Sequence, residues 1–300
     1  MQQNSVSARA VWEVKHEQNR SIDPVNKRPR AIIIFIVLAV LILGAAGFLF
    51  YWFRMGKPAK GYYEAAIQGD AEAQYQLGEC YYHGNGVRKD LSEAIVWYRK
   101  SAEQGCAQAQ WALGSHYEQG KGITRDYTRA TDLYRKAADQ SFPRGQNSLG
   151  CLYFQGDGVD QDIAEAIKWW RKAADQGLAE AQYNLGMCYL DGNGVDEDKE
   201  EGVEWTRKAA DQGLAEAQLK LGLCYGLGVG VEEDQEEAVK WIRKAADQGL
   251  AEAQYVLGGS YWYGERVPKS KAEAIKWFKK AAKQGNIEAQ QALKKRGYTW

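Results

Sequence analysis

Glycines rule this sequence into equal lengths: Gly69, Gly105, Gly177, Gly213, Gly249 and Gly285 fall on one 36-residue period, and Ser141 fills the vacant mark. A period in this range is the mark of a solenoid, in which one unit cannot bury its own apolar face and must stack on its neighbours. Six full units run from Asp70 to Gly285. GYYEAAIQG at 61–69 resembles the second half of a unit and NIEAQQALKK at 286–295 the first half. These half-units read as caps over the open ends of the stack.

Each unit holds two segments of helical period. In the fourth, the first segment spans Ala179 to Leu190, with Leu185 and Tyr189 spaced to share one buried stripe. The second opens at Asp198 with Glu201 three places on, a capping-box pattern. Asp90 with Glu93, Asp162 with Glu165, Asp234 with Glu237 and Ser270 with Glu273 repeat it, so these carboxylates are caps before they are catalysts. The second segment ends RKAADQG, with cations near the negative helix end and glycine for a left-handed turn. Ala181 and Gly186 are small where the paired helices must approach. The fold class expected is all-α, a solenoid of antiparallel helix pairs.

The frame AEAQxxLGxxYxxGxGV followed by DxxEAxxWxRKAADQG resembles the Sel-one-like repeat, a relative of the tetratricopeptide repeat, over residues 61–296. The resemblance implies a right-handed superhelix and a role as a scaffold or adaptor that binds proteins or peptides. It also implies that first helices line the concave face, with the residue after the repeated glutamine pointing into it. Some cysteine-rich bacterial members have β-lactamase-like activity, but the paired-cysteine pattern of those members is not present here.

Residues 31–53, AIIIFIVLAVLILGAAGFLFYWF, carry no charge. At 1.5 Å per residue they make about 35 Å of helix, enough to cross a hydrocarbon core of about 30 Å. A cleaved signal peptide has a shorter apolar core and ends in small residues; this run ends in Phe50, Tyr51, Trp52 and Phe53, which suit a membrane interface. The expected organisation is a disordered tail at 1–30, a transmembrane helix at 31–53, a linker at 54–60, the solenoid at 61–296 and a tail at 297–300. Arg20, Lys27, Arg28 and Arg30 precede the span, and Arg54, Lys57 and Lys60 follow it. This bias points to a cytoplasmic N-terminus and an exported solenoid, in the periplasm if the membrane is a bacterial inner one. The same scaffold facing the cytoplasm is the alternative topology.

Balanced charge, 39 basic against 39 acidic residues, gives no electrostatic reason to expect nucleic acid. The Gly-x-Gly turns lack the preceding strand and Lys-Ser/Thr ending of a phosphate loop. Asp191, Asn193 and Asp196 miss the calcium-loop pattern, since Val195 occupies a ligand place. Cys80, His83, Cys106 and His116 fit no standard zinc spacing. No Gly-x-Ser-x-Gly elbow or Cys-His signature supports a nucleophile. No cofactor, metal or catalytic residue is expected, and a periplasmic β-lactamase-like hydrolase is the rival reading. Cys80, Cys188 and Cys224 hold one repeat slot, beyond the usual disulfide reach of one another, and most of the five cysteines read as small buried hydrophobes, with an odd number leaving the compartment open.

Aromatics divide into two groups. Trp97, Trp169, Trp205, Trp241 and Trp277 share one slot of the second helix and read as a structural column. The row after the repeated glutamine reads Tyr75, Trp111, Asn147, Tyr183, Leu219 and Tyr255, and the row seven places on reads Tyr82, Glu118, Phe154, Leu190, Gly226 and Trp262. These places vary while the frame around them repeats, which is where specificity can reside. Tyr75, Tyr82, Trp111, Phe154, Tyr183, Tyr255 and Trp262 are therefore the expected partner-binding residues. Glu72, Glu79 and Glu118 beside them would suit a peptide with apolar anchors and a basic residue. The competing reading is that these aromatics pack against the next repeat.

Overall fold

The computed structural model describes residues 55–265 and 267–300. Among them are fourteen helices and no strand: α1 (Lys57–Ile67), α2 (Ala71–His83), α3 (Leu91–Glu103), α4 (Ala107–Gln119), α5 (Tyr127–Asp139), α6 (Pro143–Gln155), α7 (Ile163–Asp175), α8 (Ala179–Asp191), α9 (Lys199–Asp211), α10 (Ala215–Leu227), α11 (Gln235–Asp247), α12 (Ala251–Tyr263), α13 (Lys271–Lys283) and α14 (Ile287–Lys294). Even-numbered helices are the first helices of the repeats, odd-numbered ones the second. Each packs chiefly on its neighbours in chain order, as a stack requires. The expected tail at 1–30 and transmembrane span at 31–53 lie outside the described residues. No described helix is long and apolar enough to cross a membrane. The expected linker is already helical from Lys57, because Pro58 sits in the first turn, where its missing N–H costs nothing.

Capping follows the sequence pattern. Asp162 and Asp198 accept from the backbone N–H three residues on, and Asp90 and Asp234 accept from two such groups. The glutamates of the motif meet side chains: Glu165 pairs with Lys168, and Glu201 accepts from the Trp205 indole at 3.2 Å. First helices differ between the ends and the middle of the array. Asp70 and Asn286 cap α2 and α14 with side-chain oxygens, whereas the matching places inside the stack hold Cys106, Phe142, Leu178, Leu214 and Leu250, which make no such bond. An interior first turn lies against the preceding repeat, where an apolar side chain gains more than a solvated cap.

Two ladders tie the repeats together. Gln182, buried, donates through Nε2 to the Ala174 carbonyl and accepts from Gln212 Nε2 at 2.8 Å, and the same pair of bonds recurs from Gln74 to Gln254. A buried amide is thereby satisfied at every unit, and an interface that left it unpaired would be penalised. The tryptophan column is the second ladder. Trp97, Trp169, Trp241 and Trp277 are 4–8% exposed and pack across repeat junctions, as Trp241 does with Ala210 of the preceding repeat and Leu221 of its own. A lysine three residues on lies over each ring, from 3.5 Å at Lys244 to 4.1 Å at Lys100. The column has one gap: the second repeat carries Leu133.

The Gly-x-Gly turns are connections of close approach. At Gly230, φ +66°, an added Cβ would stand 2.1 Å from the Lys199 carbonyl oxygen of the preceding repeat, so only glycine fits both the conformation and the space.

Candidate functional site

All seven expected binding residues are half-buried, but they do not form one site. Tyr75, Tyr82 and Trp111 converge on a recess of about 210 Å³ between the first two repeats, with Tyr98, His116, Lys121 and Arg144. Phe154 lines a second recess of about 340 Å³ with Trp170, Asn184 and Met187. Tyr183 packs beside the core of the fifth repeat. Tyr255 stacks 5.7 Å from the Phe278 ring, and Trp262 lies 4.2 Å from the Arg296 guanidinium at the C-terminal end of the stack. The two rows are not surface throughout: Leu190, Leu219 and Gly226 are buried, so in repeats four and five these slots have become core.

The first recess is built through a gap in the frame. Gly78 leaves room for Tyr98 of α3 to cross between helices; a Cβ there would lie 2.6 Å from the ring. Tyr98 Oη donates to Glu79 at 2.5 Å, and burial together with that carboxylate raises the phenol pKa far above its ordinary value. Burial, then Glu79, pushes Tyr75 up to about 12. His116, 6% exposed, stands between Tyr98 and Tyr82 at 5.7 and 5.6 Å, and its Nδ1 donates to the Lys121 carbonyl at 2.7 Å. That bond holds the turn so that Lys121 Nζ donates to Tyr82 Oη at 2.8 Å. Across the opening, Arg144 lies 5.2 Å over Trp111, whose indole donates to Ser148 at 3.1 Å.

This geometry sets cations beside the glutamates of the expected ligand site. Glu79 is engaged by Tyr98 and lies 3.4 Å from His83, Glu118 accepts from Tyr134 at 2.5 Å, and Glu72 accepts from Gln76 at 2.8 Å. Among the described residues neither Lys121 nor Arg144 pairs with a carboxylate, so the recess presents two unpaired cations beside the carboxylate of Glu79. Acidic groups gather farther along: the Tyr183 phenol is raised first by burial and then by Glu216, Glu252 and Asp191.

Sequence reasoning missed the second-helix contribution. The slot that crosses each frame glycine reads Tyr98, Tyr134, Trp170, Thr206, Ile242 and Phe278. It varies as much as the two rows on the first helices, and that variation was the available signal. His116 also changes role, from possible zinc ligand to structural support. Among the described residues no group of three or more His, Cys, Asp or Glu side chains could hold a metal. All five cysteines are free, and burial pushes the Cys80, Cys151, Cys188 and Cys224 thiols up, Cys188 to about 11, away from the reactive thiolate.

The Sel1 repeat model matches six consecutive segments, 71–106, 107–142, 143–178, 179–214, 215–250 and 251–286. Among solved structures, c5321, a protective antigen of uropathogenic Escherichia coli with an SLR fold, is 38% identical over 78% of this chain, with a TM-score of 0.69. This chain spans 50% of that protein's length. A Sel1 repeat protein from Oxalobacter formigenes is 36% identical, with 71% of this chain and 86% of that one covered and a TM-score of 0.68. No curated protein matches. Six in-register repeat matches and two similar solenoids place the chain in a known group: it belongs to the Sel1 repeat family.

Proposed function

We propose that this chain is a membrane-anchored scaffold that captures a protein or peptide segment on the face formed by its first helices. The observation that carries this reading is the convergence of half-buried Tyr75, Tyr82 and Trp111 with the cations Lys121 and Arg144 on one recess. Half-buried aromatics beside an exposed arginine and lysine match the aromatic and arginine enrichment of interface anchors. The segment that fits has an apolar or aromatic side chain next to an acidic one. A basic residue farther along would meet Glu216, Glu252 and Asp191 around Tyr183. Residues 31–53 supply the anchor, and the four cations before them against three after favour a cytoplasmic tail with the repeats exported to the periplasm.

A photo-crosslinking amino acid at Gln119, an exposed residue lining the recess, tests the site in the native membrane. The expected result is one dominant adduct, absent when the probe stands at Leu227 and lost in Trp111→Ala and in Lys121→Glu at temperatures where both variants remain folded. An adduct indifferent to both substitutions rejects the recess as the binding site. Alkaline phosphatase fused after Trp300 tests topology separately, and a stable but inactive fusion overturns export.

A further inference from the structure

The gap in the tryptophan column leaves a hole of its own. Between the second helices of repeats one and two lies a recess of about 300 Å³, lined by Arg99, Ala102, Leu113, Tyr117, Leu133 and Lys136. Ala102 and Leu113 are the counterparts of Ala210 and Leu221, against which Trp241 packs, and of Ala246 and Leu257, against which Trp277 packs. Lys136 is the counterpart of the lysine that lies 3.5–4.1 Å over every other ring of the column. The recess is thus the slot of an indole that repeat two does not provide.

A second departure accompanies the first. The frame glutamate is replaced by Arg129 in this repeat; elsewhere it accepts from the Trp205 indole at Glu201, whereas the buried Trp97, Trp169 and Trp277 indoles have no hydrogen-bond partner among the described residues. Arg129 lines the recess over the Tyr117 ring, pairs with Asp126 at 3.3 Å and donates to Tyr117 Oη at 3.3 Å. In the four following repeat junctions the matching tyrosine is held by the arginine eighteen residues before it, as Tyr225 is by Arg207 at 2.6 Å. At repeat two that arginine would be Arg99, which lines the recess and is exposed. Glu103 and Asp132 on the rim offer acceptors for an indole N–H.

We infer that this recess binds a tryptophan side chain presented by a partner protein, which completes the column in trans beneath Lys136. The ring would be held by burial against Ala102 and Leu113 and by the cation over its face, as the chain holds its own indoles. The site shares no lining residue with the recess at Tyr75 and Trp111, so it stands whether or not that one binds a peptide.

The test uses the full-length chain and 5-fluoroindole, followed by ligand-observed fluorine NMR with N-acetyl-tryptophanamide as competitor. Saturable line broadening is expected for the parent. Leu133→Trp, which fills the slot from within, should weaken binding about tenfold or more and raise the melting temperature. Lys136→Ala should weaken it about threefold, the size of an exposed cation–π contact. No broadening by the parent, or broadening unchanged in Leu133→Trp, overturns the assignment. Misfolding of Leu133→Trp also overturns it, because a slot matched to an indole accepts one. Self-association lost in both Leu133→Trp and Trp300→Ala would give the slot to the exposed Trp300 of a second copy and overturn the partner reading.

Discussion

Repeat two (107–142) and repeat five (215–250) follow one frame, and four of their differences separate what each packs. Where repeat five buries Leu219 and Gly226 and covers Trp241 with Lys244, repeat two holds Trp111, Glu118 and Leu133. Where repeat five ends on Gly249 at φ +102°, repeat two ends on Ser141, the one non-glycine with positive φ among the described residues, at 62°. Both repeats keep the buried glutamine and the helix-pairing glycine, Gln110 and Gly114 in one, Gln218 and Gly222 in the other. The recesses that the departures help to form share α4 but no lining residue. Because a solenoid is stabilised between neighbours, one unit can give up packing without unfolding the rest. Repeat five therefore shows what the stack needs, and repeat two shows what it can spare.

The largest difference expected between them is in stability. Trp241→Ala removes a nearly buried indole and leaves a cavity, with an expected loss of about 3–5 kcal/mol. Leu133→Ala, on the wall of a recess already open, should cost about 2 kcal/mol or less, the low end for its class. Hydrogen exchange along the full-length chain measures both, since the loss should concentrate in the repeats adjoining each substitution. Equal losses would mean that Leu133 is as well packed as the column and that no slot is vacant.

The next comparison is in binding. Trp111→Ala should weaken capture of the crosslinked partner about thirtyfold, from about 2 kcal/mol of lost anchor, with a melting shift smaller than that of Leu219→Ala. Leu219, the same slot in repeat five and 4% exposed, should behave the other way, losing stability and leaving affinity unchanged in the folded protein. If both variants lose stability and neither loses affinity, the row is core throughout.

What could be read from the sequence was what repeats. The period, the helix pairs, the Asp caps, the glycine turns and the tryptophan column were legible because each occurs several times in register. The recesses were not, for two physical reasons. The first needs Tyr98 from a second helix, admitted by Gly78, and Lys121 and Arg144 from a turn and the repeat after it; no spacing rule links these residues before the stack exists. The second rests on one leucine in place of tryptophan, which means little until Ala102 and Leu113 are seen facing an unfilled space. The tyrosine partners of Glu79 and Glu118 escape notice for a related reason, since they come from the second helices.

Ser141 gives a smaller test of the frame. An L-residue in the left-handed region is strained by about 1 kcal/mol relative to glycine, offset in part by the greater freedom of glycine in the unfolded chain. Ser141→Gly should therefore stabilise by about 0.5–1 kcal/mol, read as a higher midpoint in urea. Gly249→Ser, the reverse change in repeat five, should lower it by a similar amount. No change in either would mean that this joint does not limit the stability of repeat two.

The smallest effect concerns how closed the first recess is. The Tyr75 phenol titrates near 12 in the folded chain, chiefly because it is partly buried and then because Glu79 is near, against about 10 when unfolded. A raised folded value means that the folded state keeps its proton while the unfolded state loses it. The associated stability is fully present below pH 10 and is lost as the pH rises from 10 toward 12. Tyr75→Phe removes the ionisable group, so it should leave the melt at pH 7 nearly unchanged and reduce the alkaline loss at pH 11 by about 0.5 kcal/mol, allowing for the half-buried ring. Tyr98 and Tyr134, also raised by burial and by their bonded glutamates, remain in the variant, so the alkaline limb should flatten only in part. An alkaline limb identical to the parent's would mean that Tyr75 is solvated in both states, and the recess would then be an open groove rather than a half-closed pocket.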